Sequence, residues 1–244
     1  MKNQALPPWD ELLSAAARLQ SIVPDAVLVG DTAAAMHAKH RRSQDADHTV
    51  DTLRNHFDEI LQDLESVAGW NTARIKRPML ILGSLDGIQT GICQLIREEP
   101  LETTTLTVPG FERPITLPTA AEILRIKAAL VLKRNATRDY LDMAALSDRI
   151  GLPDAVKALA RFDQLYPQPN GASASQQLVS QLANPRPFDL EGTDLGEYKG
   201  LDSRWHSFKT VRTTLADLAL AIVEKHLANT RGSRGGKGFS ERDR

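Results

Sequence analysis

The sequence predicts an α+β fold, with a strand-and-helix module in the first half and a helical module after it. Three observations predict it. Up to about residue 67, short strand patterns alternate with helical ones. Over 71–117 strand patterns dominate, punctuated by Gly83, Asp86-Gly87 and Pro109-Gly110. After Pro118-Thr119 helical periodicity takes over for most of the remaining chain. With 41% hydrophobic and 25% charged residues in a chain of 244, a packed core is available and wholesale disorder is excluded.

The elements follow in order. Leu12, Leu13, Ala16, Leu19 and Ile22 recur at helical spacing over 9–22, and Pro24 closes that helix. Ala26-Val27-Leu28-Val29 reads as a short buried strand ending in Gly30. Asp31 suits an N-cap for an alanine-rich helix reaching about Lys39. Residues 45–50 read as a second strand. A helix over 53–67 places Phe57, Ile60, Leu61 and Leu64 on one face. Strands are expected at 74–75, 79–82, 87–95, 103–108 and 114–117. Helices are expected at 120–133, 138–150, 153–166, 174–183 and 209–228, with Thr137 as a candidate N-cap. The glycine- and arginine-rich end, 230–244, has too little apolar surface to offset ordering entropy and reads as a basic tail. The expected organisation is a core at 1–117, a helical domain at 118–229 and the tail at 230–244.

The net charge is -1, from 30 basic and 31 acidic residues, which excludes a general basic field for nucleic acid and leaves only local patches. Cys93, the only cysteine, excludes an intrachain disulfide and a cysteine zinc cluster. The opening Met1-Lys2-Asn3-Gln4 lacks the apolar run of a signal peptide, and no stretch approaches the roughly 20 apolar residues of a membrane span. A cytoplasmic protein without membrane contact is the expectation.

Three pieces could carry chemistry. Val27-Leu28-Val29-Gly30-Asp31-Thr32 runs from a strand through a glycine into a helix, where free backbone N–H groups can cradle phosphate. Ser43-Gln44-Asp45-Ala46-Asp47 places two carboxylates on one face of a strand, and paired carboxylates plus substrate phosphates are a common way to hold Mg²⁺. Lys127, Arg134 and Arg138, with Asp139 and Asp142, offer cations for a triphosphate and acids to orient them or act as base. A chain break at Asn135-Ala136-Thr137 would alter that geometry. His37, His40 and His48 beside Asp45 and Asp47 could instead hold a transition metal, but a strand would point His48 away from the acids. His40-Arg41-Arg42 could compensate a helix dipole or attract a nucleic-acid phosphate. Arg74, Lys76 and Arg77 could guide RNA or protect a sheet edge. Trp9, Trp70 and Trp205 read as packing residues.

Gly30 through Thr49, with His40-Arg41-Arg42-Ser43-Gln44-Asp45-Ala46-Asp47, resembles a signature of the AbiEii/AbiGii family of nucleotidyltransferase-like toxins. The stretch from Lys127 to Asp142 resembles that family's second signature, and Leu82-Gly83-Ser84-Leu85-Asp86-Gly87 is similar to the linking strands of one branch. The resemblance covers roughly residues 20–150. It implies a small mixed sheet flanked by helices, as in DNA polymerase β-like enzymes, followed by a helical domain. It implies transfer of a nucleotide, or sometimes a phosphate, from a nucleoside triphosphate with Mg²⁺ or Mn²⁺. RNA, tRNA foremost, or protein would be the acceptor, and a cognate antitoxin the partner. Carried over, Gly30, Asp31, Thr32 and Ser43 would lie by the phosphates with Arg138. Asp45 and Asp47 would hold metal, Lys127 would meet the triphosphate and Asp139 would support catalysis.

The chain departs from that pattern twice. Asp31 stands where glycine or serine is usual, and a carboxylate there repels a triphosphate. Ile88-Gln89-Thr90-Gly91-Ile92-Cys93-Gln94 has no third acid, and Asp86 lies only at that strand's start. The alternative expectation is therefore an impaired relative that sequesters a nucleotide, RNA or a protein partner.

Overall fold

The computed structural model describes residues 8–107 and 114–235, with side chains as far as residue 229. The Pro109-Gly110 turn, the end of the 103–108 strand, the extreme N-terminus and most of the expected tail lie outside the described residues.

A five-stranded mixed sheet has the order β1-β2-β5-β4-β3. Its strands are β1 (Val27–Leu28), β2 (Asp45–Val50), β3 (Trp70–Lys76), β4 (Leu80–Leu85) and β5 (Ile88–Gln94). β2 and β5 are parallel, and the other neighbours are antiparallel. A second sheet pairs β6 (Thr103–Leu106) with β7 (Ile115–Pro118). Asp86 and Gly87 both have positive φ, 52° and 82°, so the Asp-Gly pair makes the tight turn between β4 and β5 that matches strand twist.

One face of the large sheet is the core face. α1 (Trp9–Ile22) and α3 (Phe57–Glu65) pack on it. Leu19, Phe57, Ile60, Leu61 and Leu64 meet Trp70, Ile81, Leu85 and Ile92 in one cluster. Leu12, Leu13 and Ala16 meet Leu28, Ala46, Ile115 and Leu117 in another. The helix expected from residue 53 starts at Phe57, because the amides of Asn55 and His56 donate to Thr52 O at 3.0 and 3.1 Å in a turn.

The helical part comprises α4 (Ala120–Arg134), α5 (Thr137–Ile150), α6 (Leu152–Leu159), α7 (Phe162–Leu165), α8 (Ala174–Ala183) and α9 (Phe208–Gly235), with short 3-10 turns before α9. α9 runs beyond the expected start of the tail, and residues 236–244 lie outside the described residues. Thr119 caps α4, its side chain accepting from the Glu122 amide at 3.2 Å. Asn135, left-handed with φ 49°, ends α4 and turns the chain into α5. The cap of α5 is therefore Ala136, and Thr137 is its first helical residue. α2 (Gly30–Ala38) belongs to both parts: it joins β1 to β2, while Ala33 and Ala34 sit in the helical core.

Candidate functional site

The site forms where α2 begins beside β2. Gly30 has φ +71°, a conformation that costs an L-residue about 1–2 kcal/mol. It lets the chain leave β1 and enter α2 directly. The Val29 amide donates to Asp47 O at 2.8 Å, and a Cβ on Gly30 would lie 3.7 Å from Asp47 Cβ. The amides of the first helical turn thus open beside Asp47.

Strand alternation does what the sequence predicts on β2. Ala46 and His48 are buried on the core face, while Asp45 and Asp47 share the opposite face, each partly exposed. Ser43 Oγ donates to Asp45 Oδ1 at 3.0 Å, and Thr32 Oγ1 donates to the Asp45 backbone carbonyl. Burial, then the neighbouring charges of Asp45 and Asp31, push Asp47 up to about 6, and Arg134 and Arg138 offset part of this. The two arginines, one ending α4 and one in the first turn of α5, therefore act electrostatically on Asp47.

Lys127, Asp31 and Asp139 lie in a buried ion cluster behind the pair. Lys127 is fully buried, and its Nζ reaches Asp142 Oδ2 at 2.5 Å, Asp31 Oδ1 at 2.6 Å and Asp139 Oδ1 at 3.4 Å. Burial opposes its charge, but the three acids raise its pKa above the usual lysine value. Arg41 joins Asp31 Oδ2 at 2.8 Å and clasps Asp142, Nε to Oδ1 at 2.8 Å and Nη2 to Oδ2 at 3.0 Å. His40 Nε2 meets Asp142 Oδ1 at 2.8 Å. Burial alone would raise Asp142, yet Arg41 and Lys127 hold it well below the usual carboxylate range. Burial likewise opposes ionisation of Asp31, but Lys127 and Arg41 together hold its carboxyl below the usual value. Burial raises Asp139, whose Oδ2 is buried without a hydrogen-bond partner among the described residues.

Several expectations are corrected here. Asp31 is not the N-cap of α2: the cap position is Val29, and Asp31, one residue inside the helix, turns to Lys127 and Arg41. His40 and Arg41 are not a surface patch for phosphate; both are buried on Asp142. Asp142, expected to orient the lysine or act as base, is the hub of the cluster. Asp86 is no third acid: it is exposed in the β4–β5 turn and ion-pairs with Arg18. Asp45 and Asp47 register with Gln89 and Gly91 on β5, so the facing positions carry no carboxylate. The histidine metal site does not assemble. His37 Nε2 bonds Pro118 O at 2.7 Å, and His48 is buried with its pKa held near 3 by burial. Among the described residues no three His, Cys, Asp or Glu side chains form a metal cluster. Trp70 and Trp205 are buried, as expected of packing residues.

Arg134 is the residue that sequence reasoning undervalued. The sequence groups it with Lys127 and Arg138 on one face only if no break intervenes at Asn135-Ala136-Thr137. The left-handed turn at Asn135 instead leaves Arg134 and Arg138 on either side of a chain reversal, both exposed, while Lys127 goes inward.

No protein-family model matches the chain. "Probable transport protein MmpL11" of Mycobacterium bovis is 29% identical over 239 residues, covering 91% of this chain and 24% of its own length. "Heme uptake protein MmpL11" of Mycobacterium tuberculosis matches over the same shares. "Mycolic acid-containing lipids exporter MmpL11" of Mycolicibacterium smegmatis is 32% identical over 136 residues, 53% of this chain and 13% of its own. The chain thus spans about a quarter of the length of the curated relatives it matches. No helix among the described residues is long and apolar enough to cross a membrane. Among solved structures, JHP933 from Helicobacter pylori is 15% identical, covers 96% of this chain and 100% of its own, and superposes with a TM-score of 0.50. A putative nucleotidyltransferase from H. pylori is 15% identical over 88% of this chain and 93% of its own, with a TM-score of 0.49. The likeness to JHP933 extends over nearly the whole of both chains and shows the fold, an α+β arrangement of small mixed sheet and helices.

Proposed function

We propose that the chain is a nucleotidyltransferase of the AbiEii toxin type, transferring a nucleotide from a nucleoside triphosphate to RNA, with tRNA the foremost acceptor. The observation that carries this reading is the Asp45–Asp47 pair, on one face of β2 and directly beside the Gly30 turn. Two like carboxylates held together, one raised to about 6, form a site that a divalent cation would relieve. Their hard oxygens suit Mg²⁺ or Mn²⁺, with substrate phosphates and water completing the shell. A bound cation there supplies charge neutralisation at the phosphates.

The chain's own groups divide the remaining work. Ser43 orients Asp45 through the 3.0 Å hydrogen bond. The first amides of α2 receive phosphate oxygens. Arg134 and Arg138, exposed and electrostatically coupled to Asp47, meet the triphosphate. Lys127 is a positioning residue, since its charge is spent on Asp142, Asp31 and Asp139. A cognate antitoxin would cover this opening.

A second reading is favoured by one observation: β5 offers Gln89, Gly91 and Cys93, and no acid, on the face of the pair. On that reading the chain binds Mg²⁺–nucleotide, RNA or a protein partner without transfer. Incubation with each radiolabelled nucleoside triphosphate, Mg²⁺ and total tRNA separates the two. Label on RNA or on the protein, lost in Asp45→Ala/Asp47→Ala, supports transfer. No label from folded protein that still binds Mg²⁺–nucleotide supports the binding module.

A further inference from the structure

The sheet's second face leads away from the acid pair. Reading across the register from Asp47, the neighbours are Gly91, then Leu82, then Arg74; from Thr49 they are Cys93, Leu80 and Lys76. Residues in register share a face, so Arg74 and Lys76 lie on the Asp47 side of the sheet. α1 and α3 occupy the opposite side, through Ala46, Ile81, Leu85 and Ile92.

A single irregularity creates this arrangement. Thr72 pairs with Gly83, but Arg74 pairs with Leu82, so Ala73 is an extra residue in the edge strand. Without that bulge, Arg74 would oppose Ile81 and point to the core face. With it, Ile75 opposes Ile81, and both cations turn to the open face. Bulges at sheet edges commonly re-aim side chains in this way. Neither Arg74 nor Lys76 has an ion-pair partner among the described residues, and both are exposed. Arg77, by contrast, pairs with Asp58 and lies over the Phe57 ring at 4.8 Å, on α3.

Between the acids and these cations the floor is apolar. Leu82 lies across Gly91, where a Cβ would meet Leu82 Cδ2 at 2.5 Å, and both Leu80 and Leu82 are partly exposed. From β2 to β3 is three strand spacings, about 14 Å. An apolar floor ending in two unpaired cations is complementary to unstacked bases and a phosphate backbone.

Resting on the transferase reading, we propose that this face is the acceptor track: a single-stranded end of RNA crosses Leu82 and Leu80, with its backbone on Arg74 and Lys76 and its terminus at Asp45 and Asp47. A duplex is too broad to lay its terminal hydroxyl against a half-buried acid pair, so the strand must be frayed or unpaired.

The test is fluorescence anisotropy of a short, labelled, mixed-sequence single-stranded RNA, titrated with full-length protein across a salt series. Arg74→Glu/Lys76→Glu is compared with a charge-matched control on exposed helical residues, Lys157→Glu/Lys225→Glu, with thermal melts confirming the fold. The expected result is at least about tenfold weaker binding for the track variant and a salt slope shallower by about 1.4, the loss of two phosphate contacts on a single strand. The control should match the wild type. Equal affinity and slope in the track variant would overturn the proposal, as would equal binding of duplex RNA or equal competition by poly-glutamate, which would assign the face to an acidic protein. Loss of RNA binding in the track variant, with no transfer by wild type, would keep the track and discard the transferase.

Discussion

Asp47 is the residue on which function and stability oppose each other. Its raised pKa means that the fold favours its protonated form. The stability it contributes is present below the ordinary carboxylate value and is lost as pH rises through about 6. Asp47→Asn should therefore stabilise the protein by about 2 kcal/mol at pH 8 and by little near pH 4, while abolishing transfer. Paired thermal melts at the two pH values check this; equal shifts at both would contradict the assignment. Asp142 behaves oppositely. Its pKa is depressed, so its contribution is present above the ordinary value and lost only as pH falls below it. Asp142→Ala leaves Arg41, Lys127 and His40 without their shared acid and should cost about 3–5 kcal/mol, seen as a lower urea midpoint with unchanged slope. The acid pair was legible in the sequence because period-two alternation is local. The partners of Asp31 were not: Lys127 lies far along the chain, and no local pattern distinguishes an N-cap aspartate from one that turns inward.

At the scale of elements, punctuation was the readable part. Asp86-Gly87 marks its hairpin, Pro118-Thr119 marks the switch to helix, and Trp9–Ile22 and Asp45–Val50 lie where periodicity put them. The bulge at Ala73 was not readable, since Arg-Ile-Lys alternates equally well in either register and only pairing with β4 fixes the face. The break considered at Asn135-Ala136-Thr137 falls at Asn135, whose left-handed φ of 49° ends α4. The turn at Gly30 carries an element-scale prediction. Gly30→Ala must take a β-carbon at φ +71° and brings it to 3.7 Å from Asp47 Cβ. It should cost about 1–2 kcal/mol and lower transfer more than the stability loss alone would. Activity measured well below the melting temperature separates the two effects; full activity there would show that the turn does not serve the site.

Across the whole molecule, the sheet and the helical part are joined through a shared helix and buried ion clusters, among them Arg97–Glu122–Arg125 and the cluster around Asp142. Asp31 on α2, Arg41 before β2, Lys127 on α4, and Asp139 and Asp142 on α5 converge, while Ala33 and Ala34 complete the helical core. Thermal unfolding should accordingly be a single transition reporting both parts, and two resolved transitions in calorimetry would contradict this coupling. The same convergence explains why Lys127 is a strut between the two parts and why phosphate binding falls to Arg134 and Arg138. The measurement that bears most directly on the account is calorimetric binding of Mg²⁺–nucleoside triphosphate to wild type and to Asp45→Ala/Asp47→Ala, between pH 5 and 8. The account predicts metal-dependent binding that strengthens as pH rises through about 6 and disappears in the variant. Metal-independent binding that survives loss of both acids would place the nucleotide elsewhere and contradict it.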